Sequence, residues 1–554
     1  MPVPTLYDTC IQKTILLFRS GVWNKSKENP FSSLPSTIVD HLVKLTLLLK
    51  FRDLPNHKSL YLLLASHRLN RLDLSCFRLY NKKIRHPCNP ASGISPELAQ
   101  RYKKVEPLFR EEDFKLQEYA DEECNSLLNM LSSDTLSHLG AIILPHFIRP
   151  YPSAVQGLIQ ASQNLVYIHV SCHFDLNILQ YCKSLRILKL HNRKINFFNV
   201  IRDGQVNFLQ YLENLEHFTV CCNSKDYYTD YILIKNCLKN CPKLISVGLC
   251  DSSMAIEFIR KFKVHPADFK LKRCFWGIKS KTFSKRLPNY KLNFPYVIQR
   301  AAASCPFVVE LVLIVHHKSS LQFLSLLKRL TILYLDFAFC GENYMHAFIS
   351  LLREIGHQLK HLSLKSKHKK TKDNKLYVSP EPFVTHDIFA YCTNLESLKI
   401  VGLSTFRESK TSISGISNLK RLYFICFDTS AFIFVLEHSR NLMELSVTFS
   451  DDFNYSEILW SLLEVSLPNL RLFCIFSNLS KKLVRPFITK LLKYVKNVGQ
   501  ICSHNTNYDA QKYYAKDPSV YTMSEVSLHE RKKIHDMNIC PQDCFSWRLN
   551  NCVF

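Results

Sequence analysis

A chain of 554 residues, 47% of them hydrophobic and 21% charged, has ample material for a folded core and no compositional case for global disorder. Only 12 glycines argue against Gly-rich phosphate loops, and a formal net charge of +26, from 72 Lys and Arg against 46 Asp and Glu, favours acidic partners. The basic residues are spread along the chain, so nucleic acid is not expected as the partner.

The 21 cysteines are odd in number and spread throughout the sequence. No basic segment followed by an apolar run opens the chain, and apolar runs such as 431–436 fall far short of the roughly 20 residues that cross a bilayer. Cys552 stands third from the end and so forms no prenylation box. These features predict free thiols, no membrane association and a reducing compartment, the cytoplasm and/or nucleus.

Thr5 followed by Asp8 is a helix-start signature, since each side chain can accept an orphan backbone N–H. In the helix that follows, Leu6, Cys10 and Leu17 share one stripe, and Ile11, Ile15 and Phe18 share an adjacent one. Two apolar stripes need two neighbours: the chain's own second helix and a partner protein. Gly21 to Asn29 reads as a polar linker. Leu34-Pro35 then opens a second helix, with Ile38, Leu42, Leu45 and Leu49 at spacings of three and four.

From Leu69 onward one pattern keeps returning, aliphatic-x-x-aliphatic-x-aliphatic. Later instances begin at Leu165, Leu185, Leu215, Leu244, Val308, Leu330, Leu359, Leu395, Leu419, Leu442 and Leu470. Most separations lie in or near the range of leucine-rich repeats, and the long gap from Leu244 to Val308 is about two periods with a degraded repeat inside. The predicted fold is therefore α/β, an irregular leucine-rich-repeat solenoid with parallel strands on its concave face and helices outside. Segments 201–211 and 346–355 have the helical spacing that the return path requires. Cys182, Cys241, Cys305 and Cys392 each precede a triple by three residues and read as small buried apolar groups.

The predicted organisation is a helical block at 1–55, a first repeat at 56–85, a linker or insertion at 86–125, the main array at 126–480 and a basic cap or tail at 481–554. Within that tail 485–498 reads as one amphipathic helix, the triples stopping after Phe476. Residues alternating with the inward aliphatics are expected on the concave face: Tyr167, His169 and Ser171; Lys189 and His191; His217 and Thr219; Tyr334 and Asp336; His361, Ser363 and Lys365; Lys399; Arg421 and Tyr423. Their aromatic and basic character suits an acidic peptide or protein.

Catalytic signatures are missing: no P-loop, no Gly-x-Ser-x-Gly and no His-Glu-x-x-His. Cys540, Cys544, His529 and His535 match no common zinc spacing. The chain is expected to be no enzyme and to need no metal or cofactor.

Thr5, Leu6 and Cys10 resemble the elongin-binding BC box, and Leu34, Pro35 and Ile38 resemble the cullin box. That pair precedes leucine-rich repeats in the Zyg and Zer receptors of cullin–elongin ubiquitin ligases and in the related PRAME-like proteins. The cysteine-containing repeats are similar to those of ubiquitin-ligase receptors. Thr14 departs from the pattern by standing at the BC box's last aliphatic position, with Ile15 beside it. The resemblance implies a substrate-recognition subunit. Leu6 and Cys10 would seat in elongin C of an elongin B/C pair, and Leu34, Pro35 and Ile38 would touch a cullin. A protein substrate would lie on the repeats. The armadillo-type repeats with which the family reads N-terminal glycine are not seen, so that specificity does not carry over. Three alternatives remain at this point: a divergent F-box, which also begins Leu-Pro but lacks its Val-Cys-x-x-Trp-like tail here; a plain helical cap on a non-ligase scaffold; and a polyanion binder.

Overall fold

One strand and one helix cannot bury their own apolar faces, and in the computed structural model every triple solves this the same way. The structure describes residues 6–26, 28–48, 57–74, 129, 131, 133–144, 153–170, 176–191, 201–202, 205–221, 227–248, 251–261, 269–277, 290–337, 340, 343–366, 368–370, 376–378, 383–401, 404–405, 414–426, 429–449, 467–470, 472–477 and 500–504. A parallel strand begins two residues after the first aliphatic of each of the twelve triples. The chain divides into two compact units, Pro2–Ala255 and Ile256–Phe554.

In the first unit the strands are β1 (Arg71–Asp73), β2 (Ala141–Ile143), β3 (Tyr167–Val170), β4 (Ile187–His191), β5 (His217–Cys221) and β6 (Ser246–Gly248), each parallel to the next. In the second they are β7 (Arg273–Trp276), β8 (Glu310–Ile314), β9 (Ile332–Asp336), β10 (His361–Lys365), β11 (Ser397–Val401), β12 (Arg421–Cys426), β13 (Glu444–Phe449), β14 (Leu472–Ser477) and β15 (Gln500–His504), again all parallel. This is an α/β leucine-rich-repeat fold.

Register turns the triples into continuous apolar rows. Leu311, Leu333, Leu362, Leu398, Leu422 and Leu445 stand side by side on successive strands, all 2% exposed or less. Each such side chain contributes roughly 1.5–3 kcal/mol on burial, before chain entropy is counted.

The corner from helix to strand is built by the position three residues before each triple. The carbonyls of Cys182, Cys241, Cys305 and Cys392 accept the N–H of Leu185, Leu244, Val308 and Leu395 at 3.0–3.3 Å. Their thiols are buried, and burial pushes those of Cys182 and Cys392 up to about 12, so they stay protonated as small apolar groups. Gly356 holds the same position before Leu359. A Cβ there would meet the Tyr391 carbonyl oxygen at 2.7 Å, so the next repeat can approach only a glycine.

A second device, unread in the sequence, sits one residue before the triple. Asn164, Asn214, Asn394, Asn418 and Asn441 each donate Nδ2 to a backbone carbonyl of the preceding repeat, on Ser137, Lys183, His357, Thr393 and Ser417, at 2.7–3.0 Å. These amides satisfy carbonyls that the strand ladder leaves open.

Other expectations are corrected. Segment 201–211 is not one helix: Ile201–Arg202 pairs antiparallel with Gln205–Val206, and a short 3-10 helix, Asn207–Tyr211, follows. In the sequence an Asp-Gly dipeptide at 203–204 favours a hairpin over a helix, a local preference that competes with the apolar spacing. Segment 346–355 is helical as expected, within Met345–Ile355. A triple at Leu139, Ile142 and Leu144 was missed and forms β2. The degraded repeat in the long gap is β7, with Leu271, Cys274 and Trp276 in the aliphatic positions, each 1% exposed or less. Strands do not stop after Phe476. In β15, Ile501 and Ser503 are register partners of Phe473 and Ile475 of β14, and the serine hid the pattern. Segments 86–125 and 485–498 lie outside the described residues.

Two substitutions test this scheme in thermal or denaturant unfolding. Leu335→Ala, at a fully buried row position, should cost about 2–5 kcal/mol. Asn394→Ala, which removes one ladder bond from an exposed edge, should cost about 1 kcal/mol.

Candidate functional site

The N-terminal block is two helices, α1 (Leu6–Arg19) and α2 (Ser36–Leu48), followed by α3 (His57–Leu64). Pro35 does not enter α2 but caps it, its carbonyl accepting the N–H groups of Ile38 and Val39 at 3.0 and 3.2 Å. The segment after α1 is more than a polar linker. Gly21, at φ 70°, starts a 3-10 turn, Val22–Lys25. Trp23 then packs with Phe18 and Phe31 at ring-centroid distances of 5.2–6.1 Å.

The block is bonded to the first repeat. Asp40 Oδ1 on α2 accepts the backbone N–H of both Asn70 and Arg71 at 2.9 Å, at the start of β1. Arg68 Nε donates to the Ser32 carbonyl, and Asn29 Nδ2 to that of Leu62. Burial raises the Asp40 carboxyl above its usual range, and the two backbone N–H groups and Arg71 only partly offset this.

Helix α1 uses one of its two apolar stripes inside the block. Ile11 and Phe18 are buried, at 6% and 2% exposure. Leu6 is 82% exposed, Leu17 36%, and Cys10 is exposed too. Thr14 is half-buried and donates its hydroxyl to the Cys10 carbonyl at 2.8 Å. With that hydroxyl satisfied within the helix, Thr14 carries no unmet polar demand into an apolar contact. On α2 and its cap Leu34 and Ile38 are half-buried and Pro35 is exposed. Thr5 lies outside the described residues.

Two groups at this surface escaped the sequence reading. Leu16 is 61% exposed on another side of α1. Tyr7, 45% exposed, places its hydroxyl 2.8 Å from His41 Nδ1 and its ring parallel to the imidazole at 5.8 Å, locking α1 to α2. No local signal announces a contact spanning 34 residues.

The residues counted off along the strands fall in register, on the face away from the aliphatic rows. His169, Lys189 and Thr219 adjoin across β3, β4 and β5; Tyr334, Ser363, Lys399 and Tyr423 adjoin across β9 to β12. That face is more closed than alternation alone implies. Tyr167, Lys189, His217, Thr219, Tyr334 and Tyr423 are buried, and Asp336 is fully so. Large side chains on adjacent strands shield one another: Arg71 and Lys189 lie 5.9 and 5.5 Å from the Tyr167 ring centroid, and Lys399 lies 4.7 Å from that of Tyr423. Lys365 pairs with Asp336 at 2.9 Å. His169, His361, Ser363, Lys365, Lys399 and Arg421 remain half-exposed. The side chain of His191, and all of Ser171, lie outside the described residues.

Among the described residues no group of three or more His, Cys, Asp or Glu could hold a metal ion, and no helix is long and apolar enough to cross a membrane. No family model and no curated protein matches the chain. Among solved structures it is similar to the TLR13–ssRNA13 complex, at 14% identity and TM-score 0.29, over 61% of this chain and 50% of that one. The chain thus spans half the length of that neighbour. It is also similar to the complex of Rad7 and Elc1 in yeast, at 16% and 0.33 over 77% and 98%, and to the leucine-rich-repeat-containing protein LegL7 from Legionella pneumophila, at 11% and 0.29 over 65% and 93%. None of these likenesses decides a function.

The Asp40 carboxyl has a pH signature. Its raised pKa means that folding favours the protonated form. Its contribution is therefore most favourable at low pH and falls as pH rises from 3.8 through the raised value. Asp40→Asn keeps an acceptor and removes the charge. Its stability relative to wild type should therefore climb across that window and then level off. Asp40→Ala should be destabilised at every pH by about 1 kcal/mol, because two backbone donors lose their protein acceptor to water.

Proposed function

We propose that this protein is the substrate-recognition subunit of a cullin–elongin ubiquitin ligase. The observation that carries the reading is the outer stripe of α1, with Leu6 82% exposed, Cys10 exposed and Leu17 partly so, on a helix whose adjacent stripe buries Ile11 and Phe18 against its own block. Exposed leucines cost solvation, and a row of them at helical spacing is how a helix enters a partner's groove. The residues of that stripe are those that resemble the BC box. At the start of α2 Pro35 is exposed, and Leu34 and Ile38 are half-buried with part of their surface open to a cullin.

In this assembly the repeats hold a protein substrate, and the ligase brings it close to a charged ubiquitin-conjugating enzyme. The contribution is proximity, which raises effective concentration at a lysine without chemistry from this chain. On the strand face Lys399, Arg421 and the His361 imidazole suit an acidic substrate segment, with the shielded tyrosines as a firm floor beneath them.

Co-purification with elongin B/C tests the docking face. Leu6→Ala with Cys10→Ala removes two exposed side chains that no intramolecular packing needs, so the fold should persist while elongin recovery drops by at least about tenfold. Equal recovery by wild type and variant, or recovery by neither, sinks the proposal, and a Skp-type adaptor in its place would turn it into an F-box-type receptor. A separate variant, Pro35→Ala with Ile38→Ala, should keep elongin B/C and lose the cullin.

A further inference from the structure

The helical layer of the second unit carries a patch that neither the strand face nor the N-terminal block uses. Helix α4 (Tyr290–Ser304) packs against the 3-10 helix Lys318–Leu326. Both bury their inward sides, with Phe294, Ile298, Leu321 and Leu324 at 0% exposure. Yet Tyr296, Phe307 and Leu326 stand 47%, 37% and 44% exposed. The Arg300 guanidinium lies 4.4 Å from the Tyr296 ring centroid, and that of Arg329 lies 5.2 Å from Phe307.

Phe307 and Arg329 hold the same place in consecutive repeats, one residue before the triple, where later repeats place the ladder asparagines Asn394 and Asn418. Here an exposed ring and a cation replace the amide. Between Tyr290 and Thr331 the single acidic residue is Glu310, which is buried and paired with Arg273 at 3.3 Å. Among the described residues Arg300, Lys328 and Arg329 have no carboxylate partner. The patch therefore combines three cations, Arg300 half-buried and Lys328 and Arg329 exposed, none paired with an acid among the described residues, with three exposed apolar groups.

We propose that this face docks an acidic protein segment that carries apolar side chains. Arg300, Lys328 and Arg329 would meet its carboxylates, the two arginines through bidentate hydrogen bonds, while Tyr296, Phe307 and Leu326 would take its apolar groups. A nucleic acid fits less well. Three cations are few for tracking a phosphate backbone, and Leu326 offers a base nothing specific. The proposal is independent of the adaptor face, which lies in the other unit.

Fluorescence anisotropy on the full chain tests it. The probe is a labelled peptide of alternating acidic and apolar residues (Glu-Leu and Asp-Phe pairs), set against its Gln/Asn counterpart and a single-stranded RNA of equal charge. The acidic peptide should bind, weaken as salt rises, and lose at least about tenfold in affinity with Arg300→Glu and Arg329→Glu. The neutral peptide should bind poorly. Leu326→Ser, which alters no charge, should weaken the acidic peptide without changing its salt slope. No binding of the acidic peptide, unchanged binding by the charge-reversed variant, or tighter binding of the RNA lost in that variant would each overturn the assignment.

Discussion

Every other feature of this molecule depends on the inability of a single repeat to bury its own apolar edge. A strand triple such as Leu359, Leu362 and Leu364 is fully covered only because the triples at Leu330 and Leu395 stand in register beside it. Register in turn is held by backbone pairing along the strands, by the corner carbonyls three residues before each triple, and by the asparagine amides that reach the preceding repeat. These constraints fix where each side chain of the opposite face must stand. A surface of this kind is selected position by position, since the scaffold uses only the aliphatic sites and the corners.

The first repeat has no predecessor, and the N-terminal block meets that need. Asp40 supplies the acceptor that an earlier strand would have given to the N–H groups of Asn70 and Arg71, and Val39, Leu42 and Val43 lie buried in the same helix. Capping thus explains α2 and the inner side of α1. It does not explain the outer side of α1, where Leu6 and Cys10 stay exposed and Leu17 is only partly covered. A helix can cap an array with a polar outer face, so capping alone does not call for the exposed apolar residues of α1.

The strand face and the helical patch around Phe307 show two ways of using aromatic and basic residues. On the strands Tyr167 and Tyr423 are shielded by neighbouring cations and form a floor. Around Phe307 the rings stay exposed and the cations lack acids, so the same pairing leaves both members available to a partner. Burial, not residue type, makes the difference.

The aliphatic period by itself determined the repeat fold, most of its strands and the residues that line its interior, because burial of Leu, Ile and Val at fixed spacing is a local demand written directly into the chain. It also marked Leu6 and Cys10 as surplus to one helix's packing. The triple at Leu139 went unread although it is wholly aliphatic, whereas two others were hidden where Cys274 and Trp276, or Ser503, replaced an aliphatic, because stacked neighbours tolerate a poor member. Only the tertiary structure decided the rest: which stripe of α1 faces outward, that Tyr7 meets His41, that Asp40 caps β1, and that Tyr334 is closed while Arg421 is half-open. These are contacts between residues tens of positions apart, and no local pattern encodes the distance that folding removes.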